Sequence, residues 1–154
     1  MAPLIAREYA LTSAGWLSAS VAALHVVIIF FGAAAYRYFG AGEDMARQAE
    51  AGSAMPAVLT LALATIFAVF ALYAFAGAGR LRRPPLLRTG LVAIAAIYTL
   101  RGLALIPELV QFARGSATVM PRQLVFSTVS LTIGLLYLAG TALLWPRLHP
   151  ARGR

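Results

Sequence analysis

The sequence predicts an all-α integral membrane protein: a four-transmembrane-helix bundle running up-down-up-down, with both termini cytoplasmic. Three observations predict it. The 154 residues are 61% hydrophobic and only 12% charged, where a soluble domain is about a quarter charged. Four apolar runs, near residues 10–36, 55–78, 86–110 and 124–145, each reach ~20 residues or more, enough at ~1.5 Å per residue to cross a hydrocarbon core of ~30 Å. The arginines are unevenly shared between the connections. In hydrocarbon every backbone donor and acceptor must be satisfied within its own segment, so runs of this length can only be helices.

The first run is far longer than the ~7–15 apolar residues of a signal-peptide core, so it reads as a retained helix. Tyr36, Tyr38 and Phe39 gather at its end, as aromatic side chains do at a membrane interface. The loop at 37–54 is expected to be periplasmic. Within it the stretch GAGEDMARQAEAGSAMP places Glu43 and Arg47 at i, i+4 and Arg47 and Glu50 at i, i+3, which predicts a short amphipathic helix. The second run ends at the basic loop 79–88, GRLRRPPLLR, whose Pro84-Pro85 pair separates it from the third. Pro146 stops the fourth beside Trp145 and leaves a tail at 146–154.

Arginine counts set the orientation. Arg7, Arg80, Arg82, Arg83, Arg88, Arg147, Arg152 and Arg154 lie on one side, and Arg37, Arg47, Arg114 and Arg122 on the other. The eight mark the cytoplasmic side by the positive-inside rule. That imbalance argues against dual-topology exporters and fluoride channels. All thirteen basic residues are arginine and are scattered at helix ends, without the basic stripe and interleaved aromatics that track a phosphate backbone. Nucleic acid is therefore not expected as a partner. Membrane lipids are, together with a second copy of the chain or a partner membrane protein. The absence of cysteine excludes disulfides, thiolate metal sites and the chemistry of quinone-linked thiol oxidoreductases.

Each run also carries a stripe at helical spacing. In the fourth it is Gln123, Ser127, Ser130, Gly134, Tyr137 and Thr141; in the second, Ala57, Thr60, Ala64, Phe67, Ala71, Ala74 and Ala78; in the first, Ala14, Ser18, Ala22 and His25. Small and hydroxyl residues at this rhythm let helices approach closely in lipid, where packing and interhelical hydrogen bonds drive association.

The third run, IYTLRGLALIPELVQF, holds the strongest candidate site. Arg101 and Glu108 are seven residues apart, within ~20° of one helix face, and Tyr98 shares that face. By rise per residue Arg101 lies ~18 Å and His25 ~21 Å from the cytoplasmic surface, while Ser127 and Ser130 lie ~5–10 Å below the opposite one. An arginine at such depth costs ~2.5–3.5 kcal/mol unless partnered. Pro107 cannot donate to the carbonyl of Leu103, which supplies one acceptor. The expected ligand-binding set is Arg101, Glu108, His25, Tyr98, Ser127, Ser130 and Gln123, converging in the outer half of the bundle.

No catalytic residue, metal site or cofactor is assigned. A membrane haem needs paired histidines on facing helices, and the only other histidine, His149, is in the tail. Glu43 and Asp44 have no histidine at ligand spacing, and no nucleophile, phosphate-loop or zinc motif is present.

Four short-looped helices with YTLRGL and a Pro-Glu pair in the third resemble small four-helix bacterial inner-membrane proteins of uncharacterised activity. The resemblance implies a fold and a multi-pass inner-membrane location, and no activity. The leading functional expectation is a polar pocket, open to the outside, that binds or transports a small anionic or polar ligand or a lipid headgroup on Arg101. The alternative is a structural or accessory subunit that docks a partner, or itself, through the small-residue faces. A third is an intramembrane enzyme using Glu108 or His25 as general acid or base, but such a residue set is common without catalysis.

Overall fold

The computed structural model describes residues 2–116 and 118–148, with side chains from residue 9 onward except that of Arg147. The chain is all-helical, 83% helix, and no strand occurs among the described residues. Helix α1 spans Ala2–Phe31, α2 Ala33–Phe39, α3 Glu43–Glu50, α4 Met55–Gly77, α5 Leu87–Leu103, α6 Leu105–Ala113 and α7 Pro121–Leu144, followed by a 3-10 turn at Trp145–Leu148. Most of the expected tail, with His149, Arg152 and Arg154, lies outside the described residues, as do the side chains of Arg7 and Arg147.

Among the described residues, four segments are long and apolar enough to cross a membrane: Tyr9–Phe31, Met55–Gly77, Leu87–Ala113 and Pro121–Leu144. Between 22% and 33% of each is buried within the protein. Outward-facing Phe30, Phe31 and Leu100 are 84%, 72% and 70% exposed. Apolar exposure on this scale is a hazard in water and the normal condition in lipid, which fits a multi-pass membrane protein.

Three boundaries differ from the sequence expectation. The first run does not continue as one helix to residue 36. Gly32 adopts φ 60°, ψ −137°, a conformation open to glycine and closed to residues with a Cβ, and it divides α1 from α2. The third run is divided at Ala104 into α5 and α6. Pro107 is the cause, because it offers no N–H to the preceding turn and its ring crowds the carbonyl four residues back; regular bonding resumes with Glu108 N–H donating to Ala104 O at 3.1 Å. Helix α7 starts three residues earlier than expected, with Pro121 at its first position, where a missing N–H costs nothing.

The expected stripes are buried in part. Ala14, Ser18 and Ala22 of α1, Thr60, Ala64, Ala71 and Ala74 of α4, and Ser127, Gly134, Tyr137 and Thr141 of α7 are buried, whereas His25, Ala57, Phe67, Ala78 and Ser130 are half-buried and Gln123 is exposed.

The chain divides into two compact units. One is Trp16–Ala71; the other joins the chain up to Gly15 with the chain from Leu72 onward. In the first, α2 folds back on α3 around Ile28, Ala35, Tyr36 and Ala46, with Phe39 and Met45 alongside. Gly40 at φ 80° and Gly42 at φ 103° make the connection. The short amphipathic helix is where the sequence placed it, but its ion pairs are not. Arg37, from α2, donates to both oxygens of Glu43 at 2.9 Å and to both of Glu50 at 2.6 and 3.0 Å. Arg47 pairs instead with Asp44 at 2.6 Å. The glycine turn brings Arg37 to the face of α3 that carries both glutamates, and its planar fork satisfies two carboxylates at once.

Hydrogen bonding from Arg37 lowers the pKa of Glu43 and of Glu50, and the two glutamates in turn raise that of Arg37. Carboxylates depressed in the folded state stabilise it above their unfolded value of ~4.3 and lose that contribution as pH falls through the depressed values. The protection of α3 amides against hydrogen exchange, relative to the unfolded chain at the same pH, is therefore expected to fall as pH drops below ~4. In Arg37→Gln that fall should be absent. A fall of equal size in the variant would show that the clamp does not hold α3.

Candidate functional site

The second unit contains the expected arginine site. Helix α5 packs along α7, and α6 continues onto it. Their approach is set by two glycines that face each other's helix. A Cβ on Gly134 would meet the Thr99 backbone N at 2.7 Å, and one on Gly102 would meet the backbone of Leu131. Both pairs leave backbone in contact with backbone, as small residues permit in lipid-embedded helices. One turn above Leu131 is Ser127, and directly before Gly102 is Arg101. The glycine crossing thus delivers the guanidinium to the serine.

Arg101 Nη1 donates to Ser127 Oγ at 2.8 Å. The same nitrogen lies 4.0 Å from Glu108 Oε1, an ion pair without a hydrogen bond. Ser127 is fully buried. The Glu108 side chain is 18% exposed and that of Arg101 49%. Glu108 Oε2 is buried and has no hydrogen-bond partner, an unusual condition for a carboxylate oxygen, which is costly to desolvate alone. Arg101, Glu108 and Ser127 are therefore one cluster, with the guanidinium half open and one carboxylate oxygen unanswered.

The remaining predicted site residues have other described partners. Tyr98 is buried on α5 and stacks on Tyr137, centroids 5.8 Å apart at 15°, so its ring is part of the α5–α7 packing. Ser130 Oγ donates to Phe126 O at 2.9 Å within its own helix. Gln123 Oε1 accepts from Met120 N at 2.9 Å and so caps the start of α7. His25 belongs to the other compact unit, where its Nδ1 is 2.8 Å from Val21 O and its ring 4.9 Å from that of Phe67. A carbonyl only accepts, so that contact places a proton on Nδ1. Among the described residues no group of three or more His, Cys, Asp or Glu is placed to hold a metal ion.

Sequence reasoning overlooked Gly102. Its signal was available: it lies three residues after Thr99, and Gly134 lies three after Leu131. A small residue at matched spacing on both helices is the mark of a close crossing. Also overlooked was Arg88, whose Nη2 donates to Trp145 O at 3.0 Å and whose Cζ lies 4.0 Å over the Trp145 ring.

No family of proteins, no characterised protein and no solved structure matches this chain.

Proposed function

We propose that the chain is a multi-pass protein of the bacterial inner membrane, up-down-up-down with both termini cytoplasmic, that binds a small polar ligand at Arg101. The arginine bias across the loops supports the orientation. The observation that carries the binding reading is the pair of unequal demands within one cluster. Half of the Arg101 side chain is exposed, and the adjacent Glu108 Oε2 is buried without a donor. A ligand that answers both brings an acceptor to the guanidinium and a donor to the carboxylate. Zwitterionic headgroups and hydroxylated anions have that character, whereas a simple anion offers acceptors only. Ser127 holds the guanidinium in place, and Glu108 sets the preference.

The docking alternative finds less support, because Ala64 and Ala71, the small residues it would use on α4, are each only 4% exposed within the chain itself.

Phosphoethanolamine, which carries an ammonium donor and a phosphate acceptor, is the probe. A ligand at ~100 times its dissociation constant adds about 2.7 kcal/mol of stability. Phosphoethanolamine is expected to raise the unfolding temperature of the detergent-solubilised protein more than sulfate does. Arg101→Ala should abolish the rise, and Ser130→Ala, whose hydroxyl is occupied within α7, should leave it unchanged. Equal stabilisation of Arg101→Ala and the unaltered protein would remove this reading.

A further inference from the structure

Two cavities adjoin at the end of α5 remote from Arg101. One, of about 450 Å³, is lined by Arg83, Arg88, Pro84-Pro85, the first turn of α5 and Leu148. The other, of about 390 Å³, is a groove lined by Val92, Ala95, Leu138, Thr141, Ala142 and Trp145. Arg88, which lines the first, lies over the ring of Trp145, which lines the second. We propose that together they bind one anionic phospholipid, its phosphate at Arg83 and Arg88 and one acyl chain along the α5–α7 groove. The proposal is independent of the Arg101 reading.

The order of chemistry along the two cavities matches the order of groups along a phospholipid. Among the described residues the first cavity is lined by two arginines and no carboxylate, and the segment 79–89 has four arginines and no acid. The first turn of α5 lines the same cavity and has no side-chain cap. The leading amides of a helix have no acceptor within it and favour an anion. Beyond the Trp145 contact comes Thr141, 5% exposed, whose buried Oγ1 has no hydrogen-bond partner. An ester carbonyl just below a phosphate supplies the acceptor that hydroxyl lacks. Farther along, Ala95 and Leu138 are purely apolar, and the seven residues from Trp145 to Leu138 give the groove ~10 Å of depth. A free phosphate ion would use only the first cavity and leave both the groove and Thr141 unaddressed.

The test is native mass spectrometry of the full chain in detergent, with phosphatidylglycerol and phosphatidylcholine of identical acyl chains. One phosphatidylglycerol is expected to be retained with at least ~10-fold preference, the scale of charge-assisted hydrogen bonds. Arg83→Gln alone and the Arg83→Gln, Arg88→Gln pair should reduce its retention by ~10-fold or more. Arg83 is exposed, so the single variant decides the matter if loss of the Arg88–Trp145 contact unfolds the pair. Ala142→Trp, at an exposed position on the groove, should expel the lipid. Equal retention of the two lipids, or phosphatidylglycerol held undiminished by Arg83→Gln, would overturn the proposal. So would inorganic phosphate stabilising the protein as much as phosphatidylglycerol does while Ala142→Trp has no effect, since the site would then serve a free anion.

Discussion

Gly134→Leu is expected to prevent α5 and α7 from packing and so to lower the unfolding temperature more than any other single change considered. A Cβ at that position already meets the Thr99 backbone N at 2.7 Å and Thr99 Oγ1 at 2.5 Å. Thr99 lies within α5, so the obstructing atoms include helix backbone that cannot turn aside as a side-chain tip would. Overpacking a tight site costs about 1–3 kcal/mol and sometimes more, against a total stability of about 5–15 kcal/mol for a typical domain. Gly102→Leu should act in the same direction, because its Cβ would fall on the backbone of Leu131. Ala139→Leu, on an exposed face of the same helix, is the control and should change little. Thermal unfolding in detergent, followed by size-exclusion chromatography, separates these outcomes. A Gly134→Leu protein that unfolds at the temperature of the unaltered chain would mean that the helices do not approach this closely.

The second large effect concerns the Arg101–Ser127 bond. A hydrogen bond to a charged group contributes about 1.5–3 kcal/mol. The lower part of that range is expected here, because the guanidinium is half exposed. Ser127→Ala should therefore destabilise measurably although only one oxygen is removed, since Arg101 would lose the one direct side-chain hydrogen bond described for it and keep a carboxylate at 4.0 Å. A double-mutant cycle with Arg101→Met isolates the pair. Additive losses would show that the serine serves packing alone. Glu108→Gln is informative in a different way. It removes a charge whose Oε2 has no partner and places an amide donor in the cluster, so the fold should survive while the preference for phosphoethanolamine over sulfate disappears. A retained preference would assign the ligand's donor to some other acceptor.

The Arg37 clamp shows how far sequence spacing reaches. Glu43, Arg47 and Glu50 have ideal i, i+3 and i, i+4 separations, and they did mark a helix, α3. Yet neither glutamate is described as bonded to Arg47. Spacing reports which side chains share a face of one helix. It is silent on a competing partner from another helix, and Arg37 arrives from α2 to bond both carboxylates at once. His25 likewise has described partners that spacing did not report, the Val21 carbonyl and the Phe67 ring.

By itself the sequence determined the four apolar segments, their small-residue stripes, the carbonyl that Pro107 leaves without a donor and the placing of an arginine and a glutamate on one face. These follow from side-chain hydrophobicity, helical periodicity and the chemistry of proline, all of which act over one or two turns. Tertiary structure alone decided which of the expected site residues Arg101 bonds, Ser127, 26 residues away, that Gly102 and Gly134 bring their helices into backbone contact, and that Arg88 lies on Trp145, 57 residues away. The physical reason is reach. A hydrogen bond or a van der Waals contact is won or lost over a few tenths of an ångström, and the distance between two helices is set by every residue along their crossing rather than by the spacing within either one.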